Sequence, residues 1–558
     1  MSILDDLRTR AEGVAFAARV LRSTGLARSL RLGGVAPFAR AVRNTRVGPH
    51  LAVMLHARMN PNKEALVDGD RRWTWREMDR EINRLAHALV VRGGTGAPVA
   101  CMLGNNAEYV LTQQALARVG ATAVQVGYRS KPAEVAYILD NAEPRVAIVG
   151  ASHAETFAAA QRAATTSVHA RVIVAPDSTG AGAGTLPADW DRWDDALAPH
   201  PRDQPPVVGE HDGGGVIVYT SGTTGKPKGA ARNFKQTGLD AVGDLMMQVG
   251  FHHDDRHLVT CPLYHSAAPA FVAIMMTLGA TTVLMEHFEP EAALALIARE
   301  KITCTLVVPT MLVRIGALPD EVIRRYDTSS LRWVMSAAAP LATETARRFM
   351  EQFGPVLWNF YGSTETGMVT LAGPGDHLTH PGTVGRLMRG NEVRLYGDDG
   401  RPVGPGQIGE LYAKNSMLIA GYHRNADATQ RSQRDGFFSV GDLARVDGDG
   451  FYYMESRKHD MVISGGVNIY PREIEDHLLT HPAILDVAVV GVPDREWGEA
   501  LRAFVVLREG HTLTAAEVGD HCRAHLADYK RPRQVVFLDE LPRNPTGKVL
   551  KRELRDRV

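Results

Sequence analysis

The run VIVYTSGTTGKPKGA, Val216 to Ala230, decides how the rest of the chain is read. Its opening VIVYT is β-branched and aromatic, the composition of a half-buried strand. The strand runs into Gly222, Gly225 and Gly229, interleaved with Ser221, Thr223, Thr224, Lys226 and Lys228. Closely spaced glycines expose backbone N–H groups, hydroxyls add donors and lysine adds positive charge, so the loop can enclose polyphosphate oxygens. It is not a Walker A loop, which needs four residues between its glycines and a Ser or Thr after the lysine. Here two residues separate Gly222 from Gly225, and Pro227 follows Lys226.

Outward from this run, strand-like and helix-like segments alternate. ALVD at 65–68, PVACML at 98–103, TAVQV at 122–126 and VAIVG at 146–150 alternate with helical patterns over Trp75 to Arg92 and Glu108 to Val119. That rhythm predicts a parallel sheet with helices on its faces. After Pro176 to Val207, a surface loop by composition, TTVLM, CTLVVP and LRWVMS resume the alternation. The fold class is α/β: a large N-terminal domain of stacked α/β subdomains with mixed sheets, plus a small mobile α+β C-terminal domain. The charged run SRKHD at Ser456 to Asp460 separates them, giving a large domain at 51–456, a hinge at 457–460 and a small domain at 461–558. In the last, the helix PREIEDHLLTH and the strands VAVVGV and AFVVLRE form their own core.

Length and composition exclude several classes. A chain of 558 residues exceeds one ordinary core, and 44% hydrophobic with 23% charged residues is globular rather than disordered. Lys plus Arg and Asp plus Glu each number 63, so no global field favours nucleic acid. Cys101, Cys261, Cys304 and Cys522 show no zinc-ligand or disulfide spacing, which suits a reducing, cytoplasmic setting. Ala267 to Met285 runs 19 residues without a charge, but Gly279 divides it into a buried helix and a buried strand rather than a membrane span. The first fifty residues carry nine Arg against three acids and offer no cleavable signal. Leu4, Leu7, Ala11, Val14, Ala18 and Leu21 fall on one helical face, with Arg8, Arg19 and Arg22 off it. This basic amphipathic extension, 1–50, either docks on the protein's own core or lies, through residues 1–46, at an anionic inner membrane surface.

The motif TSGTTGKPKG at 220–229 resembles the phosphate loop of the AMP-forming acyl-CoA synthetases (fatty-acid–CoA ligases). They are a branch of the adenylate-forming superfamily that includes luciferases and peptide-synthetase adenylation domains. Four further motifs follow in that family's order, so the resemblance covers roughly residues 50 to 558. It implies that Thr220, Ser221, Gly222, Thr223, Thr224, Gly225 and Lys226 hold ATP phosphates. In YGSTETG, Tyr361 to Gly367, it implies that Tyr361 and Gly362 flank adenine, Thr364 touches phosphate, and Glu365 with Thr223 holds Mg2+, which favours oxygen anions. SAAAPL at Ser336 to Leu341 resembles the adenine-side loop, with Ala337 and Ala338 where glycines are frequent; close approach survives but backbone freedom is reduced. In FFSVGDL, Asp442 would accept both hydroxyls of ribose, and Arg457 would reach ribose or phosphate. Lys548 in LPRNPTGKVLKREL matches the catalytic lysine, whose ammonium offsets the repulsion as a carboxylate attacks the α-phosphate. Lys551 and Arg552 read as solvated helix residues.

CPLYHS at 261–266 resembles the segment lining the acyl pocket, with His265 either gating it or approaching the ATP phosphates, and Val308, Pro309, Thr310 and Ala337 along the same cavity. The reaction implied is ATP-dependent activation of a medium- or long-chain fatty acid to acyl-adenylate, then thioester formation with coenzyme A as the small domain rotates. Gly466 in ISGGVN would let pantetheine pass close to backbone. At the hinge the family has Asp or Lys where this chain has His459, an imidazole titrating near ~6.5 when unperturbed, so the hinge would respond to pH. A fatty acyl-AMP ligase loading a carrier protein, a ligase for aryl or sterol-type acids, and an inactive membrane-associated scaffold remain open. The partners expected are a fatty acid and coenzyme A, with no nucleic acid.

Overall fold

The computed structural model describes residues 13, 15–29, 32–42, 48–165, 171–176, 186–205, 214–220, 227–233, 238–544 and 547–557. The stripe positions Leu4, Leu7, Ala11 and Val14, with Arg8, the STGAGAG stretch and the loop residues Ser221, Gly222, Thr223, Thr224, Gly225 and Lys226 lie outside them. The fold is mixed α/β, with a large N-terminal domain of mixed sheets and a smaller C-terminal domain. By packing, the chain separates into two compact units: Met1–Leu306 with Arg324–Trp333 and Ser416–Arg431, and Val307–Ile323 with Val334–Asn415 and Ser432–Val558.

The first unit holds an eight-stranded sheet in the order Gly421–Tyr422, Lys228–Asn233, Gly215–Thr220, Thr122–Gln125, Pro98–Met102, Val146–Gly150, Arg171–Ala175, Asp191–Arg192. The strands from Gly215–Thr220 to Asp191–Arg192 pair in parallel, whereas Lys228–Asn233 folds back antiparallel with Thr220 opposite Lys228. The glycine-rich run therefore links two adjacent antiparallel strands. The helix Trp75–Val91 starts where the sequence puts it because Thr74 and Glu77 close a capping box, and Trp75, Met78, Ile82, Leu85 and Leu89 form its buried stripe. Ala107–Val119 is capped by the Asn106 side chain and ends at Gly120, at a φ of 69° that favours glycine.

Three expectations change here. ALVD does not join the sheet of PVACML; Glu64–Asp68 pairs in parallel with Thr281–Leu284 of another sheet, a long-range choice that no local pattern encodes. The stretch Pro176 to Val207 is not all surface loop. Trp190, Trp193, Ala196 and Leu197 are buried around the short helix Trp193–Leu197, a spacing of three and four hidden among aspartates. In the N-terminal helix, Phe16 and Thr24 are buried and Val20 half-buried, while Ala18 and Leu21 of the expected stripe are exposed. Gly243 makes the room: a Cβ there would lie 2.8 Å from the Phe16 ring and 3.1 Å from Val20. The uncharged Ala267–Met285 stretch is a buried helix, Ala267–Leu278, stopped by Gly279 and followed by the strand Thr281–Leu284, as its residues predict. Among the described residues no helix is long and apolar enough to cross a membrane.

The second unit carries the neighbouring strands Leu357–Ser363, Gly367–Ala372 and Arg386–Leu387, and a sheet in which Asp442–Val446 pairs antiparallel with Tyr452–Arg457. It also contains a five-stranded sheet of the last hundred residues, with Gly498–Leu507 between Ile484–Asp494 and Gln534–Phe537. Strand Ile484–Asp494 is apolar from Val487 to Val492 because both faces are covered there. Val487 and Val489 pack under the helices Pro471–Leu478 and Ala515–His525, whereas Ala488, Val490 and Val492 pack with Leu541 and Leu554 on the other side.

Candidate active site

In the second unit the candidate residues come together. Asp442 and Arg457 are directly opposite each other on paired strands, and the Arg457 Nε donates to Asp442 Oδ1 at 3.1 Å. The other oxygen, Oδ2, accepts the Tyr361 hydroxyl at 2.8 Å. Burial and this carboxylate push the Tyr361 phenol well above its ordinary range. Gly362 follows at the hairpin's tightest point, where a Cβ would sit 2.0 Å from the Gly367 carbonyl oxygen; only glycine fits.

The turn beyond it is shaped by Ser363. Its Oγ accepts the N–H groups of Glu365 at 3.2 Å and Thr366 at 3.0 Å, while its own N–H donates to Thr366 Oγ1. This local network fixes Thr364 and Glu365, the latter buried. An anionic oxygen held there suits a hard dication such as Mg2+; the other expected ligand, Thr223, lies outside the described residues.

The adenine-side loop follows the strand Trp333–Ser336. Ala337 is buried, its N–H donating to the Val307 carbonyl at 3.2 Å, and Ala338 adopts a φ of 70° that an alanine rarely takes. The buried Ser336 Oγ has no hydrogen-bond partner among the described residues.

Lys548 reaches the same neighbourhood from the C-terminal turn. Its N–H donates to Asn544 Oδ1 at 2.9 Å, and the N–H of Gly547 to the Asn544 carbonyl at 2.9 Å. Gly547, at a φ of 76°, fits so closely that a Cβ would meet Thr310 Oγ1 at 2.3 Å and Val308 at 3.2 Å. Although the residue keeps some exposure, its ammonium is desolvated. Burial first, then Arg457, lowers its pKa to about 8, against the pull of Asp442 and Asp460.

His459 is exposed, yet burial of its ring, with Arg457 and Lys548 adding to it and Asp460 opposing, brings its pKa below the ordinary imidazole value. His459 therefore charges on the acid side of the range expected from a free ring. Sequence reasoning overlooked Asp460, which pairs with Arg555 at 2.7 Å, though it stood inside the SRKHD run. Lys551 is not a solvated helix residue. It pairs at 2.6 Å with Glu475, which also accepts the Val489 N–H, because the short helix Lys551–Arg555 lies against the small sheet. Gly466, at a φ of 80°, has open space where a side chain would stand.

The first unit holds Thr220 and His265. Thr220 ends its strand with Oγ1 donating to the Lys228 carbonyl at 3.4 Å, and the Lys228 ammonium lies 5.1 Å from the Tyr422 ring centroid. The segment carrying His265 is fixed by Asn105, which donates to the Cys261 carbonyl at 3.0 Å and accepts the Leu263 N–H at 2.8 Å. No sequence signal marked Asn105, because its partners lie more than 150 residues away. Burial lowers the His265 pKa to about 4. Neither its Nε2 nor the buried Tyr264 hydroxyl has a hydrogen-bond partner among the described residues. The Tyr128 ring stands edge-on to Tyr264 at 5.2 Å.

Comparison with known proteins establishes the family. The family model for AMP-binding enzymes matches residues 54–423, and that for the AMP-binding enzyme C-terminal domain matches residues 473–548. The chain belongs to the AMP-binding enzyme family. It is 36% identical to a feruloyl-CoA synthase of Amycolatopsis sp over 504 residues, 90% of this chain and 97% of the relative. It is 30% identical to the long-chain-fatty-acid–CoA ligase FadD13 of Mycobacterium tuberculosis over 506 residues, 90% and 96% of the two chains. Among solved structures, the anthranilate CoA ligase AuaEII in complex with anthranoyl-AMP superposes with a TM-score of 0.82 at 27% identity, covering 91% of this chain and 97% of that one.

Proposed function

We propose that the chain is an AMP-forming CoA ligase for an aromatic carboxylic acid that carries a hydrogen-bonding substituent. In the first step a carboxylate oxygen attacks the α-phosphorus of ATP, the bond to the β-phosphate oxygen breaks, and pyrophosphate leaves. In the second the sulfur of coenzyme A attacks the acyl carbon, the thiol proton is lost, and AMP departs with the electron pair of the broken C–O bond. The observation that carries this reading is the desolvated Lys548 ammonium in the electrostatic field of Asp442 and Arg457, beside the Tyr361 hairpin. A cation placed there before reaction stabilises charge as it develops between two anions, and it does so without reorganising water.

Asp442 offers oxygens to a ribose diol, Tyr361 and the Ala337–Ala338 backbone flank the base, and Glu365 with Thr223 would hold Mg2+, which neutralises phosphate charge. Thr220 to Lys226 take the phosphates, Gly466 the pantetheine arm, and residues 457–460 the pivot of the domain 461–558.

The substrate class rests on Tyr264 and His265. A buried hydroxyl or ring nitrogen left without a partner costs about 1–3 kcal/mol, and an alkyl chain would leave both so. An aryl acid with a hydroxyl or amine satisfies them, and the feruloyl and anthranilate relatives are consistent with that choice. The expected medium- or long-chain fatty acid is the second reading, supported by FadD13 and by the apolar helix Ala267–Leu278. The exposed Ala18, Arg19, Leu21 and Arg22 support a peripheral contact with an anionic membrane surface, and four unpaired cysteines a cytoplasmic setting.

The test is pyrophosphate release and CoA-thioester formation with ferulate, anthranilate, octanoate and palmitate. We expect the aryl acids to exceed the fatty acids in kcat/KM at least tenfold, with Tyr264→Phe narrowing the gap. Preference for palmitate would transfer the assignment to the second reading. Adenylate without thioester would make the chain an acyl-AMP ligase.

A further inference from the structure

Lys548 follows a peptide plane that is held at both ends. The plane between Gly547 and Lys548 offers an N–H, which donates to Asn544 Oδ1 at 2.9 Å, and a carbonyl oxygen, which accepts Nη1 of Arg543. Because a peptide group is rigid, gripping both ends sets its orientation and with it the direction in which the Lys548 side chain departs. The Asn544 bond is internal to the turn. Asn544 also donates its N–H to the Lys548 carbonyl and accepts the Gly547 N–H, both at 2.9 Å. The Arg543 bond reaches outward, because its other terminal nitrogen, Nη2, donates to Asp486 Oδ2 at 2.6 Å.

Asp486 is placed to act as an anchor. The pairing of Ile484–Asp494 with Gly498–Leu507 shifts register between Ile484 and Asp486. By alternation Asp486 shares the face of Ala488 and Val490, which packs with Leu541 and Val549, residues that flank Arg543 in sequence. Its second oxygen, Oδ1, accepts the Val487 N–H at 2.9 Å, so the carboxylate is divided between its own strand and Arg543. Although 22% of the side chain is exposed, the carboxyl is desolvated: burial raises its pKa above the ordinary value, against the pull of Arg543. A desolvated ion pair adds little stability over apolar residues of the same volume, so the contribution of this one is geometric. Lys551, paired with Glu475 at 2.6 Å, ties down the other end of the segment but makes no hydrogen bond to the turn among the described residues.

We propose that Arg543 is the positioning residue for Lys548: braced on Asp486, its guanidinium holds the Gly547 carbonyl and so aims the ammonium for the adenylation step. The assignment rests on the role proposed for Lys548. A planar guanidinium fork reaches two acceptors at once, whereas an ammonium on a lysine stem keeps its charge near Asp486 without spanning to the carbonyl. Lysine at this position therefore separates the ion pair from the aim.

The experiment uses the full chain as parent, Arg543→Lys, Asp486→Asn and Lys548→Ala, with ferulate or palmitate, whichever the parent activates faster. Pyrophosphate release, thioester formation from supplied acyl-adenylate and coenzyme A, and the melting temperature are measured for each. We expect kcat for pyrophosphate release to fall about tenfold or more in Arg543→Lys while KM for ATP stays within about threefold, since a small misplacement of a reacting group acts on the chemical step. Its melting temperature should stay within about 3 °C of the parent. Thioester formation from supplied adenylate, which the proposed mechanism runs without Lys548, should keep the parental rate. Asp486→Asn, which keeps the shape of the anchor and loses its charge, should show the same split to a smaller degree, and it decides the matter should Arg543→Lys fail to fold. Parental pyrophosphate release in Arg543→Lys, or equal loss of both steps with a lowered melting temperature, would overturn the assignment. Lys548→Ala keeps the two readings apart. If it is as fast as the parent, the catalytic role of Lys548 falls and that of Arg543 with it; if it is slow beside a fast Arg543→Lys, only the positioning role is lost.

Discussion

Lys548 shows how one residue's surroundings set a pH range. Its ammonium, lowered to about 8, is cationic below that pH and neutral above it, whereas an ordinary lysine stays charged well beyond. If the cation supports adenylation, pyrophosphate release falls by about tenfold per pH unit once the pH exceeds ~8, following the protonated fraction. Lys548→Arg, which cannot deprotonate, should be slower but lose this alkaline fall; a parent profile flat to pH 9.5 would contradict the assignment. Ala338 stores strain at the same scale. A left-handed alanine costs about 1–2 kcal/mol, so Ala338→Gly should leave stability unchanged or raised in urea denaturation, against the usual loss of ~1 kcal/mol for Ala→Gly. Ala338→Val should destabilise by more than about 2 kcal/mol. The residues at SAAAPL were legible as a reduced-glycine loop, but which alanine carries the positive φ was not, because a loop's backbone is set by what it packs against.

Among the elements, the Asn544 to Lys548 turn depends on contact with the helix Pro309–Gly316. Gly547 combines a left-handed φ with a Cβ position 2.3 Å from Thr310 Oγ1. Gly547→Ala therefore displaces the turn that carries Lys548. We expect kcat for adenylation to fall at least tenfold while thermal stability drops by only about 1–2 kcal/mol; pyrophosphate-release kinetics beside a melting curve would show it. Individual elements were readable because each has a local cause: the Thr74–Glu77 box, the Gly120 and Gly279 stops, the two-faced strand at 487–492. Their partners were not. Glu64–Asp68 chose a strand over two hundred residues away, and the buried face of the N-terminal helix was misplaced because Phe16 and Val20 answer to a glycine at position 243.

At the scale of the whole molecule, all four cysteines are buried. Burial pushes the thiols of Cys101 and Cys261 up to about 12 and Cys522 to about 11, and holds Cys304 well above the ordinary thiol range. Thiolate is the reactive form, so the native chain should release essentially no chromophore from Ellman's reagent within minutes, and all four thiols should react in guanidinium. Rapid reaction of even one in the native chain would show a local opening. The order of motifs along the chain was legible, and with it the positions of Tyr361, Asp442, Arg457 and Lys548; the hydrogen bonds that join the first three were not, since those depend on strand register. One such bond has a thermodynamic consequence. Both oxygens of Asp442 are already engaged, by a phenol and a guanidinium, so under the proposed role a sugar arriving there would meet a satisfied carboxylate instead of a bare anion. The heat released on nucleotide docking would then be a small difference between two satisfied networks, and selectivity for the ribose would come from geometry rather than from the appetite of an unpaired charge.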